Sequence, residues 1–206
     1  MFKKALSIVI VSTCITACAV APGLPPEQRP NHWAKPVGSD VLRQGLPNLY
    51  QVSPVLYRSA QPEAEGLLLL NQQLARVYGL PVEIKTVLSL RNNAGDAALV
   101  KPTGVHYEQI RFNTWDVRDE DVVQFLKIVR NPANQPVLLH CKHGSDRTGM
   151  MVAIYRIVEQ GWSKEDAIAE MTQGGFGYHP IWSNLIRYIQ KLDVVALKQT
   201  SRNQFN

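Results

Sequence analysis

The chain of 206 residues has only three cysteines, no run of five like charges and no apolar stretch long enough to cross a bilayer. A spanning helix needs about 20 apolar residues, and the stretch from Ala5 to Ala17 falls short of that. Three cysteines exclude the disulfide framework of small secreted scaffolds. Without a charged run there is no basic tail for nucleic acid, so a nucleic-acid partner is not expected. Gly and Pro, at 13 each, exclude collagen-like or low-complexity character, and no internal repeat stands out. What remains is a globular balance, 45% apolar and 19% charged. A chain of this size buries roughly 70% of its unfolded surface, so one core suffices without a metal or disulfide staple. The net charge of +5 favours anionic partners without naming one.

The N-terminus reads as a targeting signal over residues 1–19. Lys3 and Lys4 precede the apolar stretch, and small residues end it. Ile15-Thr16-Ala17-Cys18 has the pattern of a bacterial lipoprotein box with Cys18 as the lipidated residue, and Ala19 fits an outer-membrane destination. Ala17-Cys18-Ala19 is also an A-x-A site that would release a soluble chain. The expectation is an exported, periplasmic protein tethered to the outer membrane through Cys18. Loss of Lys3 and Lys4 lowers the formal charge from +5 to +3. Cys14 leaves with the signal and Cys18 is lipidated or removed, so Cys141 is the one thiol of the mature chain. Residues 20–39 hold five of the 13 prolines. They form either a semi-extended tether, at about 3.1 Å per residue where polyproline-like, or an arm packed on the domain that occupies 40–206.

Within that domain Val55–Ser59, Thr86–Leu90, Val105–Phe112 and the apolar Pro136–His140 read as strands. Helices are expected over Glu63–Tyr78, Asp119–Val129 and Thr148–Gln160, with a capping-box-like start at Ser163 opening another. Pro180 to about Lys198 reads as one last amphipathic helix, and Arg91-Asn92-Asn93 as a loop. Strands alternating with helices predict an α/β fold with a mostly parallel central sheet flanked by helices.

The chemistry concentrates where the strand ending at His140 runs through Cys141-Lys142-His143-Gly144-Ser145-Asp146-Arg147-Thr148 into a helix. Ligand loops of parallel sheets sit at this strand-to-helix edge. Backbone amides curling around one point, with the positive end of the following helix, make an anion site. Gly144 permits the tight bend. Arg147, six residues after Cys141, is placed to grip two phosphate oxygens bidentately. The same groups favour a thiolate over a thiol, and a thiolate in an oxyanion cradle is a nucleophile aimed at phosphorus. The Thr148 hydroxyl can donate to that sulfur as it departs in a second step. Lys142 and His143 add positive charge at the rim, which Asp146 opposes.

His-Cys-x5-Arg-Thr in this setting resembles the phosphate-binding loop of the cysteine-based protein tyrosine phosphatase superfamily, in its dual-specificity-like branch. LYRSAQP, TVLSLR and GGFG resemble recurring stretches of small exported bacterial members and of atypical plant and fungal ones. The likeness covers roughly Leu46 to Asp193. It implies the phosphatase fold, Cys141 as nucleophile, Arg147 as clamp, Thr148 as the hydroxyl after the Arg, and no metal or cofactor. It also implies an Asp that protonates the leaving oxygen and then activates water. Asp116 lies in the loop before the helix and suits a mobile acid; Asp119, beside the helix start, is otherwise an N-cap. Glu120 and Asp121 suit the first turn of the helix.

Other residues carry simpler readings. His140 orients the loop by hydrogen bonds. His140 and His143 flank a cysteine, but a cation there would face Arg147. Arg58 and Arg91 are expected in salt bridges to carboxylates at the core edge. Trp115, Phe176 and Tyr178 either line the pocket or pack. The sequence therefore predicts a metal-independent phosphomonoesterase acting on phosphotyrosine in proteins. Two rivals remain, the same chemistry on an inositol phosphate and a phosphate-binding module without turnover. A thiol-based arsenate reductase of this loop type would need a resolving Cys, which export removes.

Overall fold

The computed structural model describes residues 19–70, 77, 79–80, 83–93 and 95–202, so the expected signal and lipid site on 1–18 lie outside the described residues. The strands are β1 (Lys35–Pro36), β2 (Tyr50–Ser53), β3 (Leu56–Ser59), β4 (Thr86–Ser89), β5 (His106–Gln109) and β6 (Val137–His140). They form one six-stranded sheet in the order β1-β2-β3-β6-β4-β5. β3, β6, β4 and β5 run parallel, and β2 and then β1 add antiparallel at one edge. The edge strands were not predicted. β1 is two residues long and both are exposed, so it has no alternating pattern to betray it, and its Pro36 is tolerated only at such an edge.

Period-two alternation distributes the core. Leu56, Leu88, Val137 and Leu139 face one side of the sheet, while their strand neighbours Tyr57, Val87 and Leu138 face the other. The helices are α1 (Asp40–Gly45), α2 (Ala64–Leu68), α3 (Gly95–Val100), α4 (Asp119–Arg130), α5 (Asp146–Gln160), α6 (Lys164–Gln173), α7 (Ser183–Lys191) and α8 (Val194–Arg202). On the first side Phe125 of α4, Met150 and Ile154 of α5, and Leu185 and Ile189 of α7 close the larger core. Leu42, Leu67 and Val100 from α1, α2 and α3 cover the second side. Each such side chain contributes about 1.5–3 kcal/mol.

Register sets the position of the site. His140 of β6 lies opposite Ser59 of β3 and Ser89 of β4. The three central strands thus end level, and the segments that follow them open from one edge of the sheet.

Several sequence expectations change. Of the helix expected over 63–78, Ala64–Leu68 forms α2, and residues 71–76 and 78 lie outside the described residues. The Arg91 loop is followed by α3, which was not predicted. The helix after the cysteine loop begins at Asp146 rather than Thr148. The last helix is broken in two. Leu192 leaves α7 in an extended conformation, and Lys164 Nζ donates to the carbonyls of Gln190 and Leu192. The Asp193 carboxylate then accepts from Ala196 N–H and starts α8. Ser163 caps α6 as expected, accepting from Asp166 N–H.

The proline-rich stretch is an arm laid on the domain, not a spacer. Ala21 N–H donates to Tyr178 O and Leu24 N–H to Gln173 O, both at 2.7 Å. Ala34 N–H donates to Glu170, Trp33 is buried, and β1 joins the sheet.

Candidate active site

The loop Cys141–Thr148 is held by its carbonyls. His140 O accepts from Leu90 N–H at 2.8 Å, Lys142 O from Gln61 N–H at 3.1 Å, and Ser145 O from Gly149 N–H at 2.9 Å. His143 O accepts from Asn48 Nδ2 at 3.0 Å, and Gly144 O from Arg58 Nη2 at 2.5 Å. The His140 ring donates from Nδ1 to Cys141 O at 3.3 Å. With the carbonyls turned out to neighbouring segments, the amides face inward. Among the described residues none of the N–H groups of Lys142 to Ser145 donates to a backbone or side-chain acceptor. The N–H groups of Asp146 to Thr148 are the unpaired donors that open α5. Unpartnered amides gathered in one loop are an arrangement able to take an anion.

Gly144 has φ +70°, and a Cβ there would stand 2.6 Å from Ser59 O and 2.7 Å from Ala60 N. No other residue allows the loop to lie this close to the end of β3. Cys141 is a free cysteine, 3% exposed, at the start of the loop. Thr148 is buried, and its hydroxyl has no hydrogen-bond partner among the described residues. The Arg147 guanidinium is aimed by two carbonyls, Leu90 O at 2.9 Å and Phe112 O at 3.3 Å, both from Nη1. Nε and Nη2 are left for an anion.

His140 is buried next to this loop. Burial pulls its ring down to about 4 against the nearby Asp96 carboxylate, so it stays neutral at pH 7 and orients the loop as expected. Asp96 in turn accepts from Ser89 Oγ at 2.6 Å, from Gln61 Nε2 at 3.1 Å and from Arg91 at 2.5 Å. Arg91 is therefore the salt-bridge residue the sequence predicts. Arg58 is not. It is fully buried, it meets a carbonyl of the loop instead of a carboxylate, and its guanidinium lies 3.7 Å from the centre of the Phe176 ring.

The GGFG stretch supplies the far wall. Gly175 and Gly177 both have positive φ and turn the Phe176 carbonyl toward the loop, where it accepts from Ser145 Oγ at 2.7 Å and Asn48 Nδ2 at 2.9 Å. The Asp146 carboxylate accepts from His179 N–H and from the His179 ring, each at 2.9 Å. The side chains of Ser145 and Asp146 thus fasten the loop, and only their amides face an anion. His143, Asp146 and His179 do bring three metal-type donor atoms within 4.8 Å of one another. Both Asp146 oxygens are already engaged by His179, and Lys142 and Arg147 stand beside them, so the group fits a latch better than a cation site. Burial, with His179 adding to it, holds the His143 ring below its usual range. Phe176 and Tyr178 are packed; Trp115 is 70% exposed.

The two acid candidates separate. Asp119 is the first residue of α4, with Arg118 at the cap position. It is no N-cap; its carboxylate accepts from the Tyr188 hydroxyl of α7. Asp116 closes a tight turn with Asn113, its N–H donating to Asn113 O at 3.2 Å. That turn hangs from the clamp through Phe112 O and from α7 through Thr114 O, which accepts from Asn184 Nδ2 at 2.7 Å. The Asp116 side chain is exposed and accepts no hydrogen bond among the described residues.

Sequence reasoning missed Asn48, His179 and the role of Arg58. A charged residue inside the buried strand LYRS was the readable signal for Arg58. Asn48, in the left-handed region at φ 58°, gave none.

A parallel sheet ending level under a cysteine-to-arginine amide cradle defines a class, and the chain belongs to it: the cysteine-based phosphatases of the dual-specificity type. The family described as a DSP-PTPase phosphatase fused to NAD+ kinase matches residues 47–181. The dual specificity protein phosphatase TpbA of Pseudomonas aeruginosa is 35% identical over 172 residues, spanning 83% of this chain and 72% of that protein. Its crystal structure aligns with a TM-score of 0.69 at 36% identity, covering 84% of this chain and 98% of the other. A cysteine-to-serine form of it in complex with phosphotyrosine aligns with the same TM-score, 0.69. The inositol diphosphatase SIW14 of Saccharomyces cerevisiae is 29% identical over 124 residues, spanning 56% of this chain and 41% of that protein. The core catalytic domain of SIW14 aligns with a TM-score of 0.62 at 26% identity, covering 76% of this chain and 91% of the other.

Proposed function

We propose that the protein hydrolyses phosphate monoesters, phosphotyrosine in proteins foremost, through a phosphocysteine intermediate. The observation that carries this reading is the loop whose carbonyls all point away from the space its amides enclose, with Cys141 at its start and Arg147 aimed by two carbonyls at its end. The Cys141 thiolate attacks phosphorus as the bond to the tyrosyl oxygen breaks. The Asp116 carboxyl gives that oxygen its proton. The Asp116 carboxylate then takes a proton from water as the water oxygen attacks phosphorus and the S–P bond breaks. Inorganic phosphate leaves, and the thiolate and the acid are restored. The amides of 142–147 and Arg147 neutralise the equatorial oxygens in both steps, and Thr148 supplies a hydroxyl to the departing sulfur. Asp116 takes the acid role because its carboxylate is uncommitted and its turn is tied to the clamp, whereas Asp119 is held by Tyr188.

A second substrate class has specific support. Lys142 and His143 are exposed on the rim, and relatives named inositol diphosphatases match part of the chain. An inositol polyphosphate would meet that rim with its remaining phosphates. We also propose export and lipidation at Cys18, which rest on the sequence signal alone. In that case the substrates are those of the periplasm, reached from a membrane-anchored enzyme.

Turnover of the processed chain on phosphotyrosine peptides and on inositol polyphosphates, with Cys141→Ser as the blank, tests the proposal. Hydrolysis of phosphotyrosine peptide by wild type, and none by the variant with phosphate binding retained, is expected. Turnover by Cys141→Ser would remove the nucleophile from the account.

A further inference from the structure

Arg58 is a buried cation in want of an anion. It is 0% exposed. Among the described residues its Nε and Nη1 have no hydrogen-bond partner, and Nη2 serves a neutral acceptor, Gly144 O. No carboxylate within ion-pair distance offsets it among the described residues. Glu170 is near enough to act on it, but both Glu170 oxygens already accept from Arg156, at 2.7 and 2.8 Å, and one also accepts from Ala34 N–H. A buried charge left in this state is costly unless something of opposite sign sits close by. The guanidinium is wedged between the ring of Phe176, the Gly144 carbonyl and the first turn of α5, where a Cβ on Gly149 would lie 3.8 Å from Nη2. It lies beneath the cradle, on the side away from Arg147's anchors at Leu90 and Phe112.

We propose that Arg58 is the counter-ion of Cys141, a positioning residue that keeps the nucleophile ionised from beneath the loop while it holds Gly144 O outward. This rests on the reading of Cys141 as the nucleophile. The anion that Arg58 lacks is then the thiolate in the resting enzyme. When phosphate is bound, the dianion in the cradle takes that place. Arg58 of β3 pairs with Leu139 of β6, and Cys141, two residues further along, joins the same core cluster as Leu139, so the guanidinium and the sulfur share one side of the sheet. The other charged or titratable groups of the loop and its flanks are Lys142, His143, Arg147, the neutral His140 and the Asp146–His179 pair. Arg147 is tied to two carbonyls at the rim, so the two arginines divide the work. One meets the substrate from outside, and the other supports the sulfur from within.

The test separates charge from hydrogen bonding. Iodoacetamide alkylation of the Cys141 peptide in the processed chain is followed by mass from pH 4 to 9, so the readout does not require turnover. Arg58→Gln keeps a donor for Gly144 O but no charge; Arg58→Lys keeps the charge but not the fork. The expected result is that Gln moves the midpoint of the pH dependence up by about one unit, slowing alkylation at pH 6 about tenfold, while Lys leaves the midpoint within about half a unit. An unchanged midpoint in Arg58→Gln overturns the proposal, as does a Lys variant shifted as far as Gln. If Arg58→Gln does not fold, the thermal stability of Cys141→Ser with and without inorganic phosphate decides. Loss of the thiolate should lower Tm, and phosphate should restore more in the variant than in wild type. A variant as stable as wild type, with an equal response to phosphate, overturns the inference. Failure of the underlying reading looks different: turnover by Cys141→Ser.

Discussion

The two segments that Arg147 links, the loop Cys141–Thr148 and the turn Phe112–Arg118, are built in opposite ways. The loop from Cys141 to Thr148 is bonded through its carbonyls to segments at residues 48, 58 and 61, and through its side chains to 90, 112, 176 and 179. The turn from Phe112 to Arg118 hangs by two carbonyls, and Asp116, the acid proposed above, stands in solvent. The contrast matches the tasks. Donors that stabilise charge developing on phosphorus are effective only if they need no rearrangement at the moment of reaction. An acid that must give a proton to one oxygen and later take one from another needs room and water. The fixed half of the site is therefore expected to respond to substitution through geometry, and the mobile half through protonation alone.

Arg147→Lys attacks the fixed half most directly. A point charge cannot replace two parallel N–H groups or hold both Leu90 O and Phe112 O, and kcat/KM on an aryl phosphate should fall about 1,000-fold. A rate within tenfold of wild type would mean that the clamp is misassigned. Asp116→Asn attacks the mobile half. It should cost about 100-fold or more and flatten the limb of the pH–rate profile set by the acid. Asp119→Asn should leave that limb in place and cost at most about 1 kcal/mol of stability through Tyr188. If the two variants exchanged these behaviours, the acid would be Asp119. Gly144→Ala sharpens the contrast within one loop. A methyl 2.6 Å from Ser59 O at a backbone φ of +70° should destabilise the chain by about 1–3 kcal/mol in denaturant unfolding and lower the rate about tenfold by opening the cradle.

The last effect is on pH and touches stability alone. His140 is held at about 4 in the folded chain by burial, below its usual 6.5. The unfolded chain therefore binds a proton that the folded chain refuses over this range. Stability present above pH 6.5 is lost as the pH falls toward 4, by about 3 kcal/mol in all. His140→Asn should lack this part of the slope in Tm against pH, and an unaltered slope would assign the loss to other groups.

What was legible in the sequence and what was not divides along the same lines. Strand β6, the loop and the start of α5 form one contiguous run, and the buried strand, the Gly-bearing Cys-to-Arg loop and the helix taken together pointed to an anion site. Of the four parallel strands β4 and β6 were readable as buried apolar runs, β3 as a short strand before a turn, and β5 only through alternation over Val105–Phe112. The supports of the loop were legible only at Arg58, through a charge inside LYRS, because Asn48, Arg58 and Phe176 come from three distant segments and meet the loop only after the sheet aligns Ser59 with His140. Arg58 was expected to find a carboxylate, and the fold gives it a carbonyl. The break at Leu192 was hidden because the apolar periodicity of 180–198 runs through it; what stops the helix is Lys164, which captures the carbonyls of Gln190 and Leu192 from another element. Prolines in residues 20–39 suggested extension, and backbone bonds to Gln173 and Tyr178 turn that extension into packing.

The central claim is a covalent bond between Cys141 and phosphorus. Acid quenching of Asp116→Asn during turnover of a phosphotyrosine peptide, followed by intact and peptide mass measurement, tests it directly, because this variant slows both the formation and the breakdown of the adduct and lets it be caught. The account predicts an adduct of one phosphoryl group, about 80 Da, on the peptide bearing Cys141 and absent from Cys141→Ser. Steady turnover with no adduct on that peptide at any quench time would contradict it.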